Sequence, residues 1–125
     1  MKQVINTDGA PKAIGPYSQA IKSGQFMFTA GQIALDPKTG AVIEGDIAAQ
    51  TKRVLENLKA VIKASGADLS DVVKTTVYLT KIENFAPMNE IYARYFDTEP
   101  PARTTVFVNA LPKGVLVEID VVARL

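Results

Sequence analysis

The chain has 125 residues, with 14 Lys plus Arg against 13 Asp plus Glu, and neither cysteine nor histidine. That inventory excludes disulfides, thiol nucleophiles, imidazole acid–base chemistry and the nitrogen and sulfur ligand sets of ordinary zinc sites. A net charge of +1 gives no electrostatic footprint for nucleic acid or an anionic membrane.

With 47% of residues hydrophobic, the length suits one domain with its own core, spanning residues 1–125. The N-terminus lacks the continuous apolar core of a secretory signal, and no stretch approaches the ~20 apolar residues of a membrane span. A soluble cytoplasmic protein is expected.

In chain order, Gln3-Val4-Ile5 reads as a brief edge strand that ends at the turn signal Asn6-Thr7-Asp8-Gly9. From Ala10 to Tyr17, two prolines and a glycine dictate an extended path that delivers Tyr17 at the mouth of a strand. Ser18 to Lys22 and Gln25 to Ala30 read as a hairpin with Ser23-Gly24 at its turn, closed by Gly31 and Gln32. Asp36-Pro37-Lys38-Thr39-Gly40 is a second turn cluster.

From Asp46 the period becomes helical, with Ile47, Thr51, Val54, Leu55, Leu58, Val61 and Ile62 on one stripe. Asp46 suits the N-cap because its carboxylate accepts from orphan N–H groups, and Gly66 suits the far end because it adopts positive φ. Asp71 to Thr80 returns to β-rich composition, with Val73, Thr75, Val77 and Leu79 on one side. Asn84 is placed to cap a second helix whose buried stripe is Phe85, Met88, Ile91, Tyr92, Tyr95 and Phe96; Pro87 is tolerated in its first turn.

Pro101 to Leu125 reads as two strands folded back on one another about Leu111-Pro112-Lys113-Gly114. An even loop sets Ala110 opposite Val115, so the face carrying Arg103, Thr105 and Asn109 also carries Glu118 and Asp120. On this register a guanidinium and a carboxylate can flank one small ligand. The whole is an α+β domain of about six strands and two helices. Helices ~10 Å across cannot cover both faces of such a sheet. Identical subunits are therefore expected on the open face, with Arg103 and Glu118 near a subunit boundary.

Several separated motifs carry a resemblance in the right order. Ala10-Pro11-x-Ala13-Ile14-Gly15-Pro16-Tyr17-Ser18-Gln19-Ala20, Thr29-Ala30-Gly31-Gln32-Ile33, Phe85-Ala86-x-x-Asn89-x-x-Tyr92, and Pro101-Ala102-Arg103 with Val117-Glu118-Ile119 are similar to the RidA (YjgF) family over nearly the full length. The resemblance implies a chorismate-mutase-like subunit, a mixed sheet with two helices on one face, and a homotrimer with clefts between subunits. It further implies hydrolysis of enamine and imine intermediates (2-aminoacrylate, 2-iminopropanoate, 2-iminobutanoate) to 2-ketoacids and ammonia. Arg103 matches the family's carboxylate-binding arginine, Glu118 its water-orienting glutamate, Tyr17 its pocket tyrosine and Gly31 a backbone contact to the ligand. Thr105 stands where many members have cysteine, Ala30 where many have serine, and Asn109 where a small residue is usual. In the family the contact at the Thr105 position is made through backbone, so the resemblance implies that the change need not abolish activity and bears instead on substrate preference.

The residue chemistry agrees with that implication. A planar guanidinium holds a carboxylate by two parallel charge-assisted bonds, and a carboxylate beside it can orient and partly deprotonate one water. The expected ligand is a small imino or keto acid, with no metal, organic cofactor, nucleic acid or membrane partner. Blander readings stand beside these. A strand Arg and a strand Glu on one face also make a surface or interface ion pair. Tyr17 reads equally as a packing anchor, and Gly31 as a strand-end conformational requirement. Two other functions remain in view, a non-catalytic ketoacid-binding regulator and an RNA-cleaving protein. The missing histidine and basic stripe make the latter the poorest fit.

Overall fold

The computed structural model describes residues 1–125. Its strands are β1 (Gln3–Ile5), β2 (Ala20–Ser23), β3 (Phe26–Thr29), β4 (Val72–Leu79), β5 (Ala102–Phe107) and β6 (Val117–Arg124), and its helices are α1 (Ile47–Ala64) and α2 (Phe85–Tyr95). One mixed sheet runs in the order β1-β2-β3-β6-β4-β5, in which only the β4–β5 pair is parallel. A parallel pair needs a crossover connection, and α2 supplies it. No helix is long and apolar enough to cross a membrane.

The first helix is bounded as its sequence predicts. Asp46 Oδ1 accepts from the Ala49 N–H at 3.1 Å, and Gly66 follows the last turn with φ +90°. Its stripe of Val54, Leu55, Leu58, Val61 and Ile62 is wholly buried in one core cluster with Val77, Leu79, Val117, Ile119 and Val121. The second helix differs at its start. Asn84 occupies the cap position in helical backbone (φ −86°, ψ −4°) and its side chain makes no capping bond, because a turn of 3-10 helix, Ile82–Asn84, already leads into α2. Phe85 is 36% exposed rather than buried, and packs edgewise on Phe107 of β5.

Two strand details also move. The hairpin loop is Gly24–Gln25, since Ser23 still pairs with Phe26; positive φ at Gly24 alone fits a type II′ turn. An irregularity between Val72 and Lys74 turns Val73 outward and puts Val72 in the core in its place.

The largest correction concerns the C-terminal stretch. β5 and β6 are not a hairpin, because β4 lies between them, parallel to β5 and antiparallel to β6. Residues 108–116 bridge the two strand spacings, roughly 10 Å in all. Thr75 aligns with Arg103 and Val121, Val77 with Thr105 and Ile119, and Tyr78 with Val106 and Glu118. Side chains alternate across a sheet, so Arg103 and Thr105 point to the helix-covered face and Glu118 and Asp120 to the open one. The expected shared face is overturned.

The open face carries Val4, Phe26, Phe28 and Val106, each between 37% and 58% exposed. Beyond the sheet, buried polar side chains tie the loops down. Asn57 of α1 donates to the carbonyls of Ile33 (3.3 Å) and Leu35 (3.0 Å), and Gln50 accepts from the Leu116 N–H at 2.9 Å. Gln19, 2% exposed, clamps the N-terminal segment. Its Oε1 accepts from the Thr7 N–H at 2.7 Å, and its Nε2 donates to the carbonyls of Thr7 (3.0 Å), Ala10 (3.3 Å) and Pro11 (2.8 Å).

Gln19→Ala removes that clamp in one step. The expected loss is about 2 kcal/mol of stability, with faster amide hydrogen exchange confined to the segment around residues 7–17. Exchange there at the parent rate would show that the clamp does not hold the segment.

Candidate functional site

On the open face a cavity of about 280 Å³ is bounded by Tyr17 and Lys12 from the N-terminal segment, Ala30 and Gly31 beyond β3, Lys113 from the turn, and Glu118 of β6. The chain is brought here by backbone pairing. Gln32 and Ile119 exchange hydrogen bonds at 2.9 and 3.1 Å in an antiparallel bridge, which puts Gly31 on the same face as Glu118, whose side chain leans diagonally across it. Gly31 therefore lies beside Glu118.

The contact explains the glycine. A Cβ built on Gly31 would stand 2.8 Å from Glu118 Cδ, so the carboxylate occupies the space a side chain would take. Gly31 does not have positive φ, and the strand-end conformational reading is set aside in favour of close approach. Glu118 is half-buried, and its carboxyl is pushed above the usual carboxylate range first by burial and then by the negative charge of Asp120. Tyr17 is 49% exposed; its hydroxyl accepts from the Ile14 N–H at 3.3 Å, which folds the ring back over its own turn at the cavity edge.

Arg103 is held elsewhere. It lies on β5, the free edge of the sheet, with its guanidinium carbon 4.8 Å from the Tyr92 ring centroid and 5.7 Å from that of Phe85. Its Nη1 donates to Asn89 Oδ1 at 2.8 Å. Tyr92 is itself fixed by a buried hydroxyl contact to Thr75 Oγ1 at 2.7 Å. Arg103 is thus exposed but braced by α2, with donors left free to meet an anion. Thr105 sits one pair further along the same face, half-buried.

Of the residues the sequence singled out, Tyr17, Gly31 and Glu118 come together, while Arg103 and Thr105 stand across the sheet from them. In the sequence Asn89 stood out only as part of a motif. Its link to Arg103 had one readable signal, the placement of Phe85, Asn89 and Tyr92 on one helix face. Lys12 and Lys113 were also missed as cavity residues. No group of three or more His, Cys, Asp or Glu side chains is placed to hold a metal ion.

Gly31→Ala tests the packing directly. The obstructed atoms are the far end of a flexible side chain, so the variant is expected to fold with Tm within about 3 °C of the parent while Glu118 changes rotamer. A crystal structure of the variant with Glu118 in its parent position would refute the steric account.

Fold and site together define a class of protein: an α+β subunit with helices on one sheet face, a carboxylate-lined cleft on the other, and a braced arginine at the free edge. A family model described as Endoribonuclease L-PSP matches residues 7–125. A RutC family protein of Pyrococcus horikoshii is 58% identical over 123 residues, covering 98% of each chain. The chloroplastic Reactive Intermediate Deaminase A of Arabidopsis thaliana is 47% identical over 124 residues, 99% of this chain and 66% of that one. The crystal structure of E. coli TdcF with bound serine has a TM-score of 0.95 at 41% identity, covering 98% of both chains. The chain belongs to this family, that of the L-PSP and RidA proteins.

Proposed function

We propose that the protein hydrolyses 2-aminoacrylate, 2-iminopropanoate and 2-iminobutanoate to 2-ketoacids and ammonia, at a site assembled between copies of the chain. The observation that carries this reading is Glu118, a half-buried carboxylate with raised proton affinity, laid across Gly31 in a cavity of small-acid size. Arg103 and Glu118 of one chain lie on opposite faces, so a ligand held by both must take them from different copies. Arg103 and Thr105 lie on the exposed edge strand, and the open face offers Phe26, Phe28 and Val106 for burial against another subunit. A homotrimer would place Arg103 and Thr105 of one copy against Tyr17, Gly31 and Glu118 of the next.

The enamine 2-aminoacrylate first takes a proton from water at C3 to become the 2-iminopropanoate iminium; in the cleft the guanidinium fork grips the substrate carboxylate and turns C2 of the iminium toward Glu118. Glu118 takes a proton from water as the oxygen bonds to C2, giving a carbinolamine. The proton then goes to nitrogen, the C2–N bond breaks, and ammonia departs while the regenerated Glu118 carboxylate takes the hydroxyl proton, leaving the C2 carbonyl of the ketoacid; Glu118 finally returns that proton to ammonia or water. One carboxylate acts as base and then as acid, for which a raised pKa nearer neutrality is suited. Tyr17 walls the pocket beside the attacking water.

Two relatives support the reading, one by its name as a deaminase and the other by its bound serine, a ligand of amino-acid size. The family description as an endoribonuclease names the competing function. The net charge of +1 and the absence of histidine argue against it here. The test is ammonia and ketoacid release from aminoacrylate formed in situ by a serine/threonine dehydratase. Release above the buffer rate is expected; a rate equal to buffer, with ketoacid still bound in calorimetry, would replace the enzyme with a binding protein.

A further inference from the structure

We infer that Asp120, anchored by the Tyr78 hydroxyl, is a positioning residue that acts through Glu118, its negative charge setting the pH at which the cleft carboxyl exchanges its proton. The inference deepens the deaminase reading, because it concerns the group given the water-handling role there.

The geometry begins with β6. Glu118 and Asp120 are two residues apart on one strand, so they share the open face about 7 Å apart along it. Across β4, Tyr78 stands directly opposite Glu118 and Thr76 opposite Asp120. Tyr78 reaches along the diagonal, and its hydroxyl donates to Asp120 Oδ2 at 3.2 Å. The phenol paired across from Glu118 is thereby committed to the neighbouring carboxylate.

This makes the pair unequal. Burial raises the proton affinity of both carboxyls, but the Tyr78 hydrogen bond and the Lys74 charge favour ionised Asp120, whereas the charge of Asp120 disfavours ionised Glu118. Asp120 is thereby the carboxyl whose charge the neighbouring groups support, and Glu118 the one whose charge they oppose. The other titratable groups facing Glu118 are Lys12 and Tyr17 from the N-terminal segment and Lys113 from the turn. In the assembled site the Arg103 of a second copy joins them. Gly31 and Gln32, packed against Glu118 from the β3 side, bring no charge.

Carboxyl-detected 13C NMR titration of the assembled protein reads Glu118 without relying on turnover. In Asp120→Asn the Glu118 midpoint is expected to fall by about 0.4 to 1.7 pH units, the range for unit charges roughly 7 Å apart at effective dielectrics of 80 to 20. Asp120→Glu keeps the charge and holds the parent midpoint. Tyr78→Phe raises the Asp120 midpoint by removing a bond to its ionised form. If Glu118 must be ionised to accept a proton, the acid limb of kcat/KM moves to lower pH in Asp120→Asn by the same amount. An unmoved Glu118 midpoint in Asp120→Asn, or an equal fall in Asp120→Glu, overturns the inference. A shifted midpoint in a chain without deaminase activity upholds it and overturns the proposed function instead.

Discussion

Arg103→Ala is expected to lower kcat/KM on 2-aminoacrylate by about 10²- to 10³-fold, the consequence of losing about 3 to 4 kcal/mol of carboxylate grip. The size follows from how the side chain is held. Tyr92 and Phe85 brace the guanidinium and Asn89 fixes one of its nitrogens, so its remaining donors meet a carboxylate without first being ordered. Arg103→Lys should recover little of the loss, because an ammonium retains the charge but lacks the planar fork. The loss should fall on both kcat and KM, since the same contact binds the acid and aims its C2. Steady-state kinetics in the dehydratase-coupled assay reads all three effects. Parent kinetics in Arg103→Ala would remove Arg103 from the site.

Glu118→Gln separates binding from chemistry. The substitution keeps size and hydrogen-bonding capacity but removes the base, and kcat is expected to drop by about 10²- to 10⁴-fold. The Arg103 grip is untouched, so calorimetric affinity for a 2-ketoacid should stay within about threefold of the parent. Equal loss of affinity and rate would mean that Glu118 shapes the cleft rather than handles the water. Gly31 sharpens the comparison, since an added methyl displaces the carboxylate without removing it.

Much of the secondary structure was legible because its signals are local. Asp46 and Gly66 mark α1 through cap chemistry that needs no tertiary partner, and Asp36 forms its turn with bonds to the Lys38 and Thr39 N–H groups as its composition implies. Period-two alternation found β5 and β6, but alternation says nothing about which strand lies beside which. Inserting β4 between them moved Arg103 to the face opposite Glu118, a change of neighbour that left each strand's own pattern intact.

The site was legible in its residue types and not in its geometry. Glu118 and Gly31 lie far apart along the chain and meet because Gln32 pairs with Ile119, a contact with no local signature. Asn89 meets Arg103 only because α2 packs alongside β5. Val73 looked like a core residue from its spacing, and one irregularity after Val72 was enough to turn it out.

The most direct test of the account is complementation between two inactive variants. Arg103→Ala and Glu118→Gln proteins are each assayed alone, then mixed under conditions that exchange subunits. A site drawing its arginine from one copy and its glutamate from the next is intact at about one quarter of positions in a random mixture. The account predicts recovery to about that fraction of parent activity; a mixture no more active than its two components would contradict it.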